Sequence, residues 1–164
     1  MLMEILEGSG TMMEKFEYLQ QLDTESTKHS GRTLWTHLTG VYDLLVSWNC
    51  HPHVCDAGLY HSVYGTTYFK KQTVSLEDRD KVKLIIGNDA ELLAYLFCTT
   101  DHPRFYNFAQ MENTRLRDEL VLIDYANMKE MDSSWDNQDY HPYLPTGIIV
   151  RSERDSLDYY SGRV

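Results

Sequence analysis

Apolar residues recur along much of this chain at helical steps. Between Thr33 and Trp48, Leu34, Leu38, Val41, Leu45 and Trp48 follow at intervals of four, three, four and three, the repeat of one buried helix face. Met12, Met13, Phe16, Leu19 and Leu22 predict a shorter amphipathic helix over 11–22. A third helix is expected from about His53 to Tyr64, with Pro52 tolerated in its first turn and Gly65 as its stop. Ser75, with Asp78 three residues on, has the form of a capping box and opens a helix through Val82, Leu84, Ile85 and Ile86, closed by Gly87. Asn88 or Asp89 then caps a helix over 90–99. The last long helix runs from about Asn113 to Met131, apolar at Leu116, Leu120, Ile123 and Met128. Residues 23–31 read as a polar loop, 66–73 as irregular, and 101–109 as a loop around Pro103.

After Met131 the pattern stops. Trp135, Tyr140, Tyr143, Tyr159 and Tyr160 are scattered among Asp, Ser and Pro, and Gly147-Ile148-Ile149-Val150 is a β-favouring run. The chain therefore reads as an all-α, compact helical bundle over 1–131 followed by an irregular C-terminal arm over 132–164. Its 164 residues match one domain, long enough to bury a core.

Charge narrows the partners. Asp and Glu number 25 against 15 Lys and Arg, a net charge of -10, which argues against nucleic acid or an anionic membrane surface. A small phosphorylated ligand in a local basic pocket stays compatible, so a small molecule is the expected partner; nothing fixes an oligomeric state. No apolar run approaches membrane-spanning length, and MLMEILEGSG lacks a basic signal-peptide start, so a cytoplasmic protein is expected. Cys50, Cys55 and Cys98 are too few for a disulfide framework. The run Cys50-His51-Pro52-His53-Val54-Cys55 has no second Cys/His pair at finger spacing and reads as a turn into a helix. His51, His53, His102 and His141 flank prolines or turns and are expected to be exposed.

The remaining histidines carry the chemistry. His37 neighbours Leu34, Leu38 and Val41 on the buried face, so its imidazole points inward, where both ring nitrogens need partners. His61 ends the next apolar stretch, and His29 lies in the loop before the main helix. Asp124 and Asn127 share a face of the last helix. Together His29, His37, His61 and Asp124 form a candidate metal set. Arg32 could hold a carboxylate or phosphate through its fork, and Tyr64, three residues after His61, could donate a proton.

The order of these residues resembles the HD-domain superfamily, all-α proteins whose metal sites use a His, a His-Asp pair and a distant Asp. Over about residues 28–130 the layout is similar to guanosine-tetraphosphate hydrolase domains: His37 matches their first histidine, His61 the histidine of His-Asp, Asn88-Asp89-Ala90-Glu91-Leu92 the approach to their middle helix, and Leu122-Ile123-Asp124-Tyr125-Ala126-Asn127 their late helix. His29-Ser30-Gly31-Arg32-Thr33, His37-Leu38 and His61-Ser62-Val63-Tyr64-Gly65-Thr66 also resemble a family of small HD-like proteins. Ser62 replaces the Asp of the pair, and Gly65-Thr66 stands where the hydrolases have an acidic pair, so a two-metal phosphohydrolase is not expected. The resemblance instead implies one divalent transition metal, and a nitrogen-rich set suits Fe, Mn, Zn or Ni. The expected function is a metal-dependent hydrolase acting on a polar or phosphorylated small molecule. The alternatives are an iron-dependent oxygenase and a non-catalytic ligand-binding or regulatory module.

Overall fold

The computed structural model describes residues 10–22 and 24–148. Its helices are α1 (Met12–Gln21), α2 (Leu34–Ser47), α3 (Pro52–Leu59), α4 (Arg79–Ile86), α5 (Asn88–Thr99), α6 (Arg104–Ala109) and α7 (Thr114–Met131). Short 3-10 helices occupy Leu76–Asp78 and Gln138–Tyr143. The expected all-α class holds, with one two-stranded exception. The predicted loop before α2 contains a hairpin of β1 (Lys28–His29) and β2 (Arg32–Thr33), paired antiparallel with His29 opposite Arg32. Ser30 and Gly31 form its turn, both at positive φ, the geometry that matches the twist of short hairpins.

Local chemistry sets the helix starts. Thr11 and Glu14 cap α1 reciprocally, Thr33 accepts from the Thr36 amide to open α2, and Asn113 accepts from Leu116 to open α7. Three expectations shift. The helix after Pro52 ends at Leu59, so residues 60–64 are turns and not a helical face. Gly87, at φ 85°, is the N-cap of α5 in place of Asn88 or Asp89. The segment after Pro103, read as a loop, is α6, which buries Arg104, Phe105 and Phe108.

The core joins Leu38, Val41 and Leu45 of α2 to Ala57 and Leu59 of α3, Leu93 and Phe97 of α5, and Leu120 and Ile123 of α7. Gly58 decides how closely α2 and α3 pack: a Cβ there would collide with Leu45 and press on Val41 Cγ1 at 3.3 Å. Helix α7 is buried without a break from Leu120 to Asn127, because α2, α3, α5, α6 and the turn after Asn137 surround it. A helix covered on all sides loses the one-face periodicity that marks a surface helix.

The described part of the arm, to Ile148, packs back onto α7. Tyr140 stacks on Phe105 with centroids 4.3 Å apart, and Tyr125 donates to Asp136 at 2.9 Å. Gly147 and Ile148 form no strand, and Ile149 and Val150 lie outside the described residues, as do residues 1–9. Among the described residues, no helix is long and apolar enough to cross a membrane.

Candidate functional site

His37 projects from the first turns of α2 into the core and is completely buried. Its Nδ1 lies 2.5 Å from Oε2 of Glu130, near the end of α7. Arg32 of β2 grips the same carboxylate through both terminal nitrogens, at 2.6 and 2.7 Å. Burial alone would raise the Glu130 carboxyl, but the hydrogen bonds from His37 and Arg32 hold it below the ordinary carboxylate range. An ionised carboxylate only accepts, so the proton of that bond belongs to His37 Nδ1.

His61 enters from the turn that follows α3. Its Nδ1 donates to the Gly58 carbonyl at 2.6 Å, which fixes the proton on that nitrogen. Burial, followed by the neighbouring charge of His37, pushes the His61 imidazole well below its usual pKa. Both Nε2 atoms thus have their δ-nitrogens satisfied elsewhere, and they face each other at 3.2 Å. The side-chain oxygen of Asn127 lies 3.2 Å from His61 Nε2. Two imidazole lone pairs at that separation repel unless a cation, either a proton or a metal ion, lies between them.

His29 adds a third ring. It stacks on His37 with centroids 4.4 Å apart and planes 12° from parallel, and its Nδ1 is buried with no hydrogen-bond partner among the described residues. Burial and the adjacent His37 lower its pKa to about 4, so the ring stays neutral. His29, His61 and Asn127 line a cavity of about 470 Å³, which Arg104, His102 and Tyr68 also border.

The fold thus gathers His29, His37, His61 and Asn127, with Arg32 one step behind through Glu130. Two predicted residues are engaged elsewhere. Asp124 accepts from the Tyr140 hydroxyl at 2.6 Å and faces Arg104 Nη1 at 3.6 Å, so both of its oxygens are taken. Tyr64 donates at 2.8 Å to Glu91, a fully buried carboxylate that also receives the Arg79 fork at 2.6 and 2.9 Å. Because α3 stops at Leu59, Tyr64 never shares a helical face with His61.

Three participants were not singled out from sequence. Glu130 sits one turn beyond Asn127 on α7, and that i, i+3 relation was the available signal. Arg104 and His102 flank Pro103 in a stretch read as loop. Of the histidines expected to be exposed, His51 is; His53 is half-buried and bonded to Glu119 at 2.8 Å, and His102 and His141 are half-buried. Another groove, about 890 Å³, lies by α3 and the start of α5 and holds none of the site residues. Its lysines are already paired, Lys15 with Asp56 at 2.5 Å and Lys83 with Asp80 at 3.4 Å.

Among the described residues, no three His, Cys, Asp or Glu side chains are arranged to hold a metal ion by themselves. The further donor at the pair is the amide oxygen of Asn127; His29, expected in the metal set, stacks on His37 and does not complete a three-donor group with His37 and His61. The pair itself has the right spacing: two nitrogens on one ion, with bonds near ~2.1 Å and angles near ~100°, stand about 3.2 Å apart.

Residues 18–102 match the model of a protein family described as a domain of unknown function, DUF6817. That stretch contains His29, His37 and His61 and ends before Asn127 and Glu130. No curated protein and no solved structure matches the chain.

Proposed function

Since the chain belongs to the DUF6817 family, whose description names no activity, we propose from its own residues that it holds one divalent transition metal at the His37–His61 pair and is a metal-dependent enzyme of hydrolase type. The observation that carries this reading is the pair of Nε2 atoms at 3.2 Å, each left with a free lone pair by the partner of its other nitrogen. Iron, manganese, zinc or nickel suits imidazole nitrogen with an amide oxygen, and magnesium or calcium does not. When bound, such an ion lowers the pKa of a water molecule or polarises a substrate oxygen.

The protein's own groups do the rest. Glu130 keeps the proton of His37 on Nδ1, and Arg32 keeps Glu130 ionised and aimed. The Gly58 carbonyl performs the same service for His61. Such outer partners orient ligand rings and raise their basicity. Asn127 adds a neutral oxygen, and the cavity beside His61 admits a polar small molecule. The order of His37, His61 and a polar late helix is the ground for extending the HD-like resemblance to this site. A count of three cysteines, with Cys55 and Cys98 present as buried thiols, fits a reducing compartment, and we place the reaction in the cytoplasm.

The test is metal analysis of freshly purified protein, followed by titration of the stripped protein with zinc, manganese, nickel and ferrous iron. One equivalent bound by wild type and lost in His61→Ala and His37→Ala is the expected result. Stoichiometric iron with oxygen consumption would move the assignment to the oxygenase alternative. A second reading, a non-catalytic ligand-binding module, is favoured by one observation: among the described residues no carboxylate lies at the two Nε2 atoms, because Glu130 is bonded to His37 Nδ1 and Asp124 is committed to Tyr140 and Arg104. In that case a proton lies between the two Nε2 atoms, and wild type takes up none of the four metals.

A further inference from the structure

We propose that the cavity beside the histidine pair is built for a small organic anion with an apolar body, its charge held by Arg104. The inference rests on the proposed function only in taking this cavity as the place where the substrate sits, since the anion contact itself needs no metal. Three observations converge on it.

The first is charge. Across the whole chain acids outnumber bases by 25 to 15, yet among the described residues the cavity wall contains no Asp or Glu and does contain Arg104 and Lys28. A wall with bases and no acids favours an anion locally on an acidic protein.

The second is the state of Arg104. Its side chain is only 5% exposed, and the guanidinium lies over the Phe97 ring, 4.2 Å from the centroid. Nε donates to the Phe97 carbonyl at 3.2 Å, and Nη1 faces Asp124 at a loose 3.6 Å. Nη2 has no partner among the described residues. Asp124 cannot fully serve the guanidinium, because its other oxygen takes the Tyr140 hydroxyl at 2.6 Å. An organised guanidinium with a nitrogen to spare on a cavity wall is a fork for a carboxylate or a phosphate.

The third is what surrounds that fork. The Phe97 ring that supports Arg104 also meets the His61 ring, with centroids 5.1 Å apart, so an anion on Arg104 lies next to the pair. Toward solvent, Tyr68 is 81% exposed and packs on His102 at 4.2 Å, and Met128 and Met131 supply soft apolar surface. A ligand that fits has a charged head for Arg104 and a flat or apolar body for this rim, with exposed Lys28 adding long-range attraction.

The experiment uses the full chain, stripped of metal with a chelator, and three probes of one shape: benzoate, phenyl phosphate and neutral benzamide. Binding is followed by amide chemical-shift changes. At least one of the two anions should bind about 10-fold or more tighter than benzamide, and which one does distinguishes a carboxylate from a phosphate ligand. Arg104→Lys should abolish that preference, and Lys28→Ala should weaken the anion by about 2–5-fold, the usual scale of an exposed charge. Should Arg104→Lys fail to fold, Lys28→Ala and the benzamide comparison decide alone. Equal binding of benzamide, or no binding of any probe to the stripped chain, overturns the proposal. Anion binding without metal uptake leaves it standing while the metal assignment fails.

Discussion

Gly40 makes the room that Glu130 fills. A Cβ on Gly40 would lie 2.7 Å from Glu130 Oε1 and 2.8 Å from its Cγ, so α2 can carry no side chain there while Glu130 reaches His37, one turn earlier on the same helix. Gly40→Ala should therefore separate site from fold. Alanine adds about 1 kcal/mol of helix propensity, and the group it displaces is the Glu130 side chain from Cγ outward. The variant should melt near wild type yet bind metal about 10–100-fold more weakly, the usual cost of losing an outer-shell partner. Unchanged affinity, measured by competition with a chromophoric chelator, would detach Glu130 from the site.

Glu130→Gln tests the same link from the other side. The amide keeps the shape but removes the anion that draws the His37 proton to Nδ1 and that pairs with Arg32. We expect a loss of about 1–3 kcal/mol in denaturant unfolding, because the carboxylate and His37 are buried; Arg32 is exposed and contributes little of it. We also expect the ring-nitrogen shifts of His37 to report a mixture of tautomers. A single unchanged tautomer in the variant would show that Glu130 does not set it.

How much of this was legible beforehand follows the burial of each helix. Helix α2 has one buried face, so the positions of Leu34, Leu38, Val41 and Leu45 place His37 inward without ambiguity. Helix α7 is enclosed from Leu120 to Asn127, and there spacing no longer distinguishes Asp124, which the arm occupies, from Asn127, which faces His61. Glu130, beside Lys129 near the helix end, has the local look of a solvated charge. Only the approach of α2 at Gly40 gives it a buried role. The sequence pattern predicts a helix running to Tyr64; the true end at Leu59 keeps His61 in the site and sends Tyr64 to Glu91.

Tyr64→Phe should therefore leave metal uptake and any activity unchanged, since its hydroxyl serves Glu91. Arg79→Met should cost far more, about 3–5 kcal/mol, because it leaves Glu91 buried and ionised without its fork. Equilibrium urea unfolding of the two variants checks the contrast. A loss of metal uptake in Tyr64→Phe would return that residue to the site.

Acid should unfold the protein earlier than an average domain. His29 titrates near 4 in the fold against an ordinary 6.5, and His61 is displaced in the same direction. As pH falls through 6.5 the unfolded chain takes up protons that the folded chain refuses, so stability declines from about 6.5 down to about 4. His29 is partly exposed, so solvent screening reduces its share. Glu130, held below its ordinary range, extends the decline further into acid, while Asp124, raised by burial, offsets part of it. Unfolding free energies measured at pH 7, 5.5 and 4 should fall in that order. A flat profile would mean that His29 and His61 are solvated.

Asp124 provides the sharpest separation between a ligand and a structural carboxylate. Its oxygens hold Tyr140 from the arm and Arg104 from α6, and all three side chains are nearly excluded from solvent. Tyr140→Phe removes one hydroxyl from a buried acceptor and should cost about 1–3 kcal/mol. Asp124→Ala leaves the Arg104 guanidinium buried without its counter-charge and should cost about 3–5 kcal/mol. Asp124→Asn keeps the shape and an acceptor for Tyr140, so it should fold and bind metal as wild type does, because the pair at His37 and His61 does not draw on that carboxylate. Metal uptake by Asp124→Asn, corrected for the folded fraction, is the measurement. Its loss would make Asp124 a ligand that leaves Tyr140 and Arg104 when the ion arrives.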